Sequence, residues 1–213
     1  MPRVAKTPVY KQFYDSKICW DFNNLPKNLG EMFPAKHQLL VELGAGSCYF
    51  STGFAQKHTD WNVLATDLKR DRLWKGARRS MTQKLTNTRF LNINVMDLIE
   101  VLGSDSVDQL WLTFPDPHAK ARQAKHRMNQ PEFLEVYKSL LRKHGSFNLK
   151  TDDSGFFIES IENLQKHGWI VTSLSADLHS DLDEKRDEAI KTRYETEFTE
   201  AGLPIYYLSA ELV

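Results

Sequence analysis

Short apolar runs alternate with amphipathic stretches along most of the chain. The run at 38–43 is nearly continuous, and those at 61–66, 89–93, 107–114, 146–150, 169–175 and 204–210 share its character. Runs of this length with few polar interruptions predict strands. Between them the apolar residues recur at helical spacing over 49–58, 71–84, 131–143, 155–167 and 184–201, with a shorter segment at 96–102. Pro131 suits a first helical turn, and Gly202 follows the last helix where a glycine ends one. Strict alternation of strand and helix gives an α/β fold, a doubly wound, seven-stranded, mostly parallel sheet with helices on both faces. The last two strands are joined by an acidic linker and one helix, so the final strand is expected to run antiparallel. Residues 1–37 break the pattern, mixing cations (Arg3, Lys6, Lys11, Lys17) with aromatics (Tyr10, Phe13, Tyr14, Trp20, Phe22). They read as an arm that packs on, or folds over, a single domain spanning 38–213.

Composition narrows the class without naming a chemistry. The chain has 213 residues, 41% hydrophobic and 26% charged, which suits one soluble domain. No apolar run approaches the roughly 20 residues of a membrane span, so a cytoplasmic protein away from the membrane is expected. Cys19 and Cys48 lack metal-ligand spacing and read as free thiols, with no metal site. The formal net charge is zero, which argues weakly against a nucleic-acid partner, but cations crowd into 69–79 and 120–127, and local distribution outweighs the sum.

Candidate chemistry sits where strands end. Glu42-Leu43-Gly44-Ala45-Gly46-Ser47 joins the first strand to the first helix, and glycines there let the backbone turn tightly and approach a ligand. Tyr49 occupies the place of the third glycine of a dinucleotide fingerprint, which disfavours a pyrophosphate. Asp67 ends the second strand, where an acid accepts from ribose hydroxyls. An acid before the turn, with no cationic phosphate anchor inside it, suits a nucleoside whose tail carries an ammonium, such as S-adenosylmethionine. Helix capping by Glu42 and Asp67 is the plainer alternative.

The densest signal is Phe114-Pro115-Asp116-Pro117 followed by Lys120, Arg122, Lys125, His126 and Arg127. The prolines keep Asp116 out of a helix at the C-terminal end of a strand, where open α/β sheets place their ligands. The cations behind it suit a polyanion; a solvated surface loop is the alternative.

Together with Lys150-Thr151-Asp152, Thr192-x-Tyr194-Glu195-x-x-Phe198 and Gly202-x-Pro204-Ile205-Tyr206, these motifs resemble, in order from about residue 38 onward, the bacterial tRNA (guanine-N7)-methyltransferases. The resemblance implies a class I methyltransferase domain over 38–213 that uses S-adenosylmethionine to methylate N7 of guanine 46 in the tRNA variable loop. It implies cofactor contacts from Glu42, Gly44, Gly46, Asp67, Asn94 and Asp116, with Asp116 also catalytic. Substrate contacts are implied for Lys120, Asp152, Thr192, Arg193, Tyr194 and Glu195; the cations Lys120, Arg122, Lys125 and Arg127 are expected to hold backbone phosphates around the target nucleotide. The partner is tRNA, and the assembly a monomer or homodimer.

Four positions depart from the family pattern. Cys48 replaces a third turn glycine and is expected to narrow the space for the methionine tail. Asn94 stands where an acid faces the adenine, His118 where a tryptophan follows the Pro-Asp-Pro turn, and His126-Arg127 where two arginines are usual. Two other readings fit the same residues: a class I methyltransferase acting on another RNA or a small molecule, and a binding module without catalysis.

Overall fold

The computed structural model describes residues 8–26, 29–33, 35–181 and 186–212. Its strands are β1 (Cys19–Asp21), β2 (Gln38–Leu43), β3 (Trp61–Asp67), β4 (Thr88–Asn92), β5 (Val107–Thr113), β6 (Leu141–Thr151), β7 (Trp169–Ser175) and β8 (Tyr206–Leu212). They form one sheet in the order β1-β4-β3-β2-β5-β6-β8-β7. Every neighbouring pair is parallel except those of β8 with β6 and β7. The helices are α1 (Pro8–Asp15), α2 (Leu29–Met32), α3 (Tyr49–Lys57), α4 (Arg70–Thr82), α5 (Leu98–Leu102), α6 (Pro131–Leu140), α7 (Ser154–Lys166), α8 (Leu178–Asp181) and α9 (Arg193–Glu200).

Period-two alternation sorts side chains onto the two faces. Leu39, Val41, Leu43, Leu110, Leu112, Phe147 and Leu149 pack against α5, α6 and α7 through Leu98, Leu134, Tyr137 and Phe156. Leu40, Val63 and Trp111 turn to the other face and meet Phe50 and Phe54 of α3. The same alternation puts Glu42 and Thr113 on the α3 side. The order of connection reverses between β2 and β5, so the C-terminal ends of these two strands bound the crevice where such sheets bind ligands.

The seven expected strands are present and β8 is antiparallel; the sheet gains an eighth strand from the N-terminal segment. There α1 and β1 join the fold, with Phe13 and Cys19 buried against Leu73, Ala77 and Phe90 and β1 paired parallel to β4. Lys11 and Lys17 are exposed, whereas Arg3 and Lys6 lie outside the described residues. Two helix boundaries differ from the periodicity. The helix over 131–143 ends at Leu140, because the chain enters β6 at Leu141 and pairs it with Val107. The helix over 184–201 starts only at Arg193, preceded by a 3₁₀ turn at Asp187–Ala189; residues 184 and 185 lie outside the described residues. Thr192 sets that start through a capping box, its hydroxyl accepting from Glu195 N–H while the Glu195 carboxylate accepts from Thr192 N–H.

Candidate active site

Glu42 lies at the reversal point, 1% exposed. Its carboxylate accepts from the backbone N–H and hydroxyl of Ser51 at the start of α3 and, at 2.7 Å, from the hydroxyl of Thr113 at the end of β5. Burial pushes its carboxyl up to about 7 against the pull of those donors and of Lys150. The glycine turn above it is left-handed at Gly44 and Gly46 (φ 63° and 52°). A Cβ added at Gly46 would meet nothing within 4 Å, so that side of the turn is open.

Gly44 separates two adjoining recesses. One, about 240 Å³, is bounded by Glu42, the glycine turn, Tyr49, Thr113, Phe114, Arg193 and Tyr194. The other, about 480 Å³, is bounded by Asp67, Leu68, Ile93, Asn94, Asp116 and Met128 among others. Together they have the size and mixed polarity of a small-molecule site. Asp67 braces the turn, one oxygen accepting from Gly46 N–H at 2.8 Å and the other from Lys69 N–H at 2.6 Å. Asn94 accepts from Met96 N–H as the cap of a 3₁₀ turn. The geometry fits a nucleoside with a cationic tail: apolar walls at Leu68, Ile93 and Met128, a carboxylate at Asp67, and Glu42 beneath the neighbouring recess. All six residues expected to contact the cofactor border these recesses.

The Pro-Asp-Pro turn leaves β5 with Phe114 in the left-handed region (φ 50°) and returns to it at His118 (φ 44°). Asp116 stands between them with its side chain 73% exposed, one carboxylate oxygen accepting from His118 N–H at 2.9 Å. Arg127 clamps the turn from behind, donating to the Pro117 and His118 carbonyls and to both oxygens of Glu159. That occupation corrects the sequence reading of Arg127 as a phosphate contact: its guanidinium is committed inward. Lys120, Arg122 and Lys125 are exposed around the 3₁₀ turn Ala121–His126, and His126 borders the larger recess beside His118.

Asp152 is exposed at the end of β6; desolvation, then the neighbouring Asp153 carboxylate, raises its carboxyl. Asp153, rather than Asp152, caps α7 by accepting from Phe156 N–H. Arg193 and Tyr194 face the smaller recess, but Glu195 turns the other way. It is fully buried, accepting from Lys150 Nζ, at 2.9 Å to each oxygen, and paired with His179. Glu195 therefore has no surface to offer a substrate; Thr192 borders the smaller recess, its hydroxyl accepting from Glu195 N–H as the cap and keeping its own O–H to donate. Cys48 lines the smaller recess while being fully buried itself, and its sulfur lies beside Gly76, where an added Cβ would come within 2.6 Å of it, so the side chain also packs against α4.

Residues 36–208 match the family model described as "Putative methyltransferase". A tRNA (guanine-N(7)-)-methyltransferase of Exiguobacterium sp. is 34% identical, covering 87% of this chain and 85% of its own length. A tRNA (guanine-N(7)-)-methyltransferase of Halalkalibacterium halodurans is 33% identical, covering 86% and 82%. This chain belongs to the tRNA (guanine-N(7)-)-methyltransferase family. The crystal structure of the 16S rRNA methyltransferase KamB shares the fold, with a TM-score of 0.66 and 12% identity over 89% of this chain and 94% of that one.

Beside the motifs that carry the tRNA (guanine-N(7)-)-methyltransferase likeness, the site has parts the sequence did not single out. Ser51 and Thr113 are two such parts, holding Glu42; the Lys150 of the 150–152 motif turns inward, to the Glu188 and Ile190 carbonyls as well as Glu195. The Thr-x-x-Glu spacing at 192–195 is itself a capping-box signal and could have revealed the inward turn of Glu195. Lys150 belongs to the Lys150-Thr151-Asp152 motif, but nothing local signalled its pairing with Glu195, 45 residues away in sequence.

Proposed function

We propose that this protein transfers the methyl group of S-adenosylmethionine to N7 of a guanine in tRNA, that of guanine 46 in the variable loop, in the cytoplasm. The observation that carries this reading is Asp116, an exposed carboxylate at the end of β5 that borders the nucleoside-sized recess and is followed along the chain by the exposed cations Lys120, Arg122 and Lys125. Family membership supports the substrate class.

When bound, S-adenosylmethionine supplies an electrophilic methyl on a sulfonium. Gly44, Gly46 and Asp67 would hold its nucleoside, Asn94 the adenine, and Glu42 its cationic tail. Guanine N7 carries a lone pair and no proton, so no general base is needed, and the enzyme's task is alignment and charge stabilisation. Asp116 suits both: its carboxylate can accept from guanine N1–H and the exocyclic amine, and it offsets the positive charge left on the methylated base. N7 lies in the deep groove of A-form RNA, so the target must be unstacked to be reached. Lys120, Arg122 and Lys125 would hold phosphates around the displaced nucleotide, and Asp152 is a second contact to the guanine. Arg193 and Tyr194 meet the substrate directly, whereas Thr192, Glu195 and Arg127 position the surfaces that do.

The test is methyl transfer from labelled S-adenosylmethionine to an unmodified tRNA transcript, with N7-methylguanine mapped by reductive chain cleavage. One cleavage in the variable loop is the expected result; label at another position or in another base contradicts the proposal.

A further inference from the structure

We infer that the ring of Tyr49 is a stacking platform for the displaced guanine, with Tyr194 on the same recess, and that it fixes the plane of the base for attack; this deepens the tRNA methyltransferase reading and rests on it. Tyr49 opens α3 directly after Cys48, whose left-handed backbone (φ 57°) turns the chain there. Tyr49 is 41% exposed and borders the recess that also holds Glu42, Thr113 and Phe114. Tyr194, 51% exposed, borders the same recess, as does Arg193.

The Tyr49 ring is held in place. The Arg79 guanidinium lies 3.6 Å from its centroid and donates to the Ser47 carbonyl at 2.8 Å. Arg79 thus ties ring and glycine turn together, and one aromatic face is occupied by a flat cation. Exposed aromatic rings beside cations are the means by which proteins receive unstacked bases. Arg72 and Lys75 border the recess too and form no ion pair among the described residues, so they are available to the phosphates of a displaced nucleotide.

The geometry of the reaction gives such a platform a defined task. The N7 lone pair lies in the plane of the purine, so the plane must contain the line of attack. Asp116, binding the N1–H edge, fixes rotation within the plane but leaves tilt about that edge free. A ring stacked on the base removes the tilt and leaves both edges open, one for Asp116 and one for the incoming methyl.

The test compares Tyr49→Ala and Tyr49→Phe by steady-state methylation of tRNA transcript, by cofactor calorimetry, and with a transcript carrying 2-aminopurine at the target position. Tyr49→Ala is expected to raise KM for tRNA, or lower kcat, by roughly 5- to 100-fold. Tyr49→Phe is expected to restore wild-type behaviour, and both variants to keep wild-type cofactor affinity. The 2-aminopurine should stay quenched on the wild type and on Tyr49→Phe and brighten on Tyr49→Ala. Wild-type kinetics in Tyr49→Ala, a loss that Tyr49→Phe does not restore, or a matching loss of cofactor affinity would each overturn the inference while leaving the activity intact. A wild-type enzyme that methylates no tRNA would overturn the underlying reading, and this inference with it.

Discussion

Lys150 and Glu195 form a fully buried ion pair, Nζ 2.9 Å from each carboxylate oxygen, that ties β6 to the segment carrying Arg193 and Tyr194. Burial drives the Lys150 ammonium down, opposed by Glu195, and pushes the Glu195 carboxyl up, a push that the His179 and Lys150 bonds more than reverse. Removing one partner leaves the other charge buried with weaker company, His179 and the Thr192 N–H for Glu195 or two carbonyls for Lys150. Lys150→Met is expected to cost about 3–5 kcal/mol in urea unfolding. Adding Glu195→Gln should recover part of that cost. Additive losses in the double variant would contradict a coupled pair.

Glu42 sets two pH dependences of opposite sign. Its carboxyl, near 7 in the folded chain against 4.5 as an ordinary glutamate, binds a proton more tightly when folded. Its contribution to stability is complete below about pH 4.5 and is lost as pH rises through about 7. Glu42→Gln should therefore match or exceed wild type in stability above about pH 8, by on the order of 1–3 kcal/mol, with no such gain near pH 5. Cofactor affinity runs the other way, since only the ionised carboxylate attracts a cationic tail. Calorimetry should find wild-type affinity rising from about pH 6 to 8 and a weaker, flatter profile in Glu42→Gln. A flat wild-type profile would remove Glu42 from the cofactor site.

Cys48 and Gly76 are sterically matched. A Cβ at Gly76 would lie 2.5 Å from the Cys48 Cβ and 2.6 Å from its sulfur. Gly76→Ala is expected to destabilise by about 1–3 kcal/mol. In a Cys48→Gly background, where the left-handed φ also suits glycine, the same change should cost much less, because alanine gains helix propensity. Equal costs in both backgrounds, measured by thermal melts, would place the strain elsewhere; the Phe90 ring at 3.1 Å is the next neighbour.

The basic segment divides into two functions. Lys120→Ala, Arg122→Ala and Lys125→Ala should each weaken tRNA binding and lower the salt slope of log K by roughly one, with unchanged melting temperature. Arg127→Ala should lower the melting temperature and kcat instead, because it loosens the turn that holds Asp116 and leaves Glu159 with only the Asn129 and Gln130 amides in place of its cation. A salt-slope change in Arg127→Ala as large as in Lys120→Ala would contradict this division.

The parallel strands were legible in the sequence because strands buried on both faces are continuous apolar runs, and the two loops at the reversal point because glycine and proline punctuate them. What periodicity could not reveal depends on distant partners. β1 is three residues long and exists only through its pairing with β4. Glu195 reads as a surface charge until Lys150 is brought beneath it, and Arg127 as one more exposed cation until Glu159 is placed opposite. Cys48 reads only as part of the pocket wall, since nothing local says that Gly76 has made room for its sulfur behind that wall.

The most direct test of the central claim is a tRNA transcript in which the single variable-loop guanine 46 is replaced by 7-deazaguanine, which keeps every other edge and lacks the N7 nucleophile. We predict that the enzyme binds this tRNA with wild-type affinity and transfers no methyl group to it, while the matched guanine transcript is methylated. Undiminished transfer to the 7-deaza transcript would contradict the assignment of that atom as the acceptor.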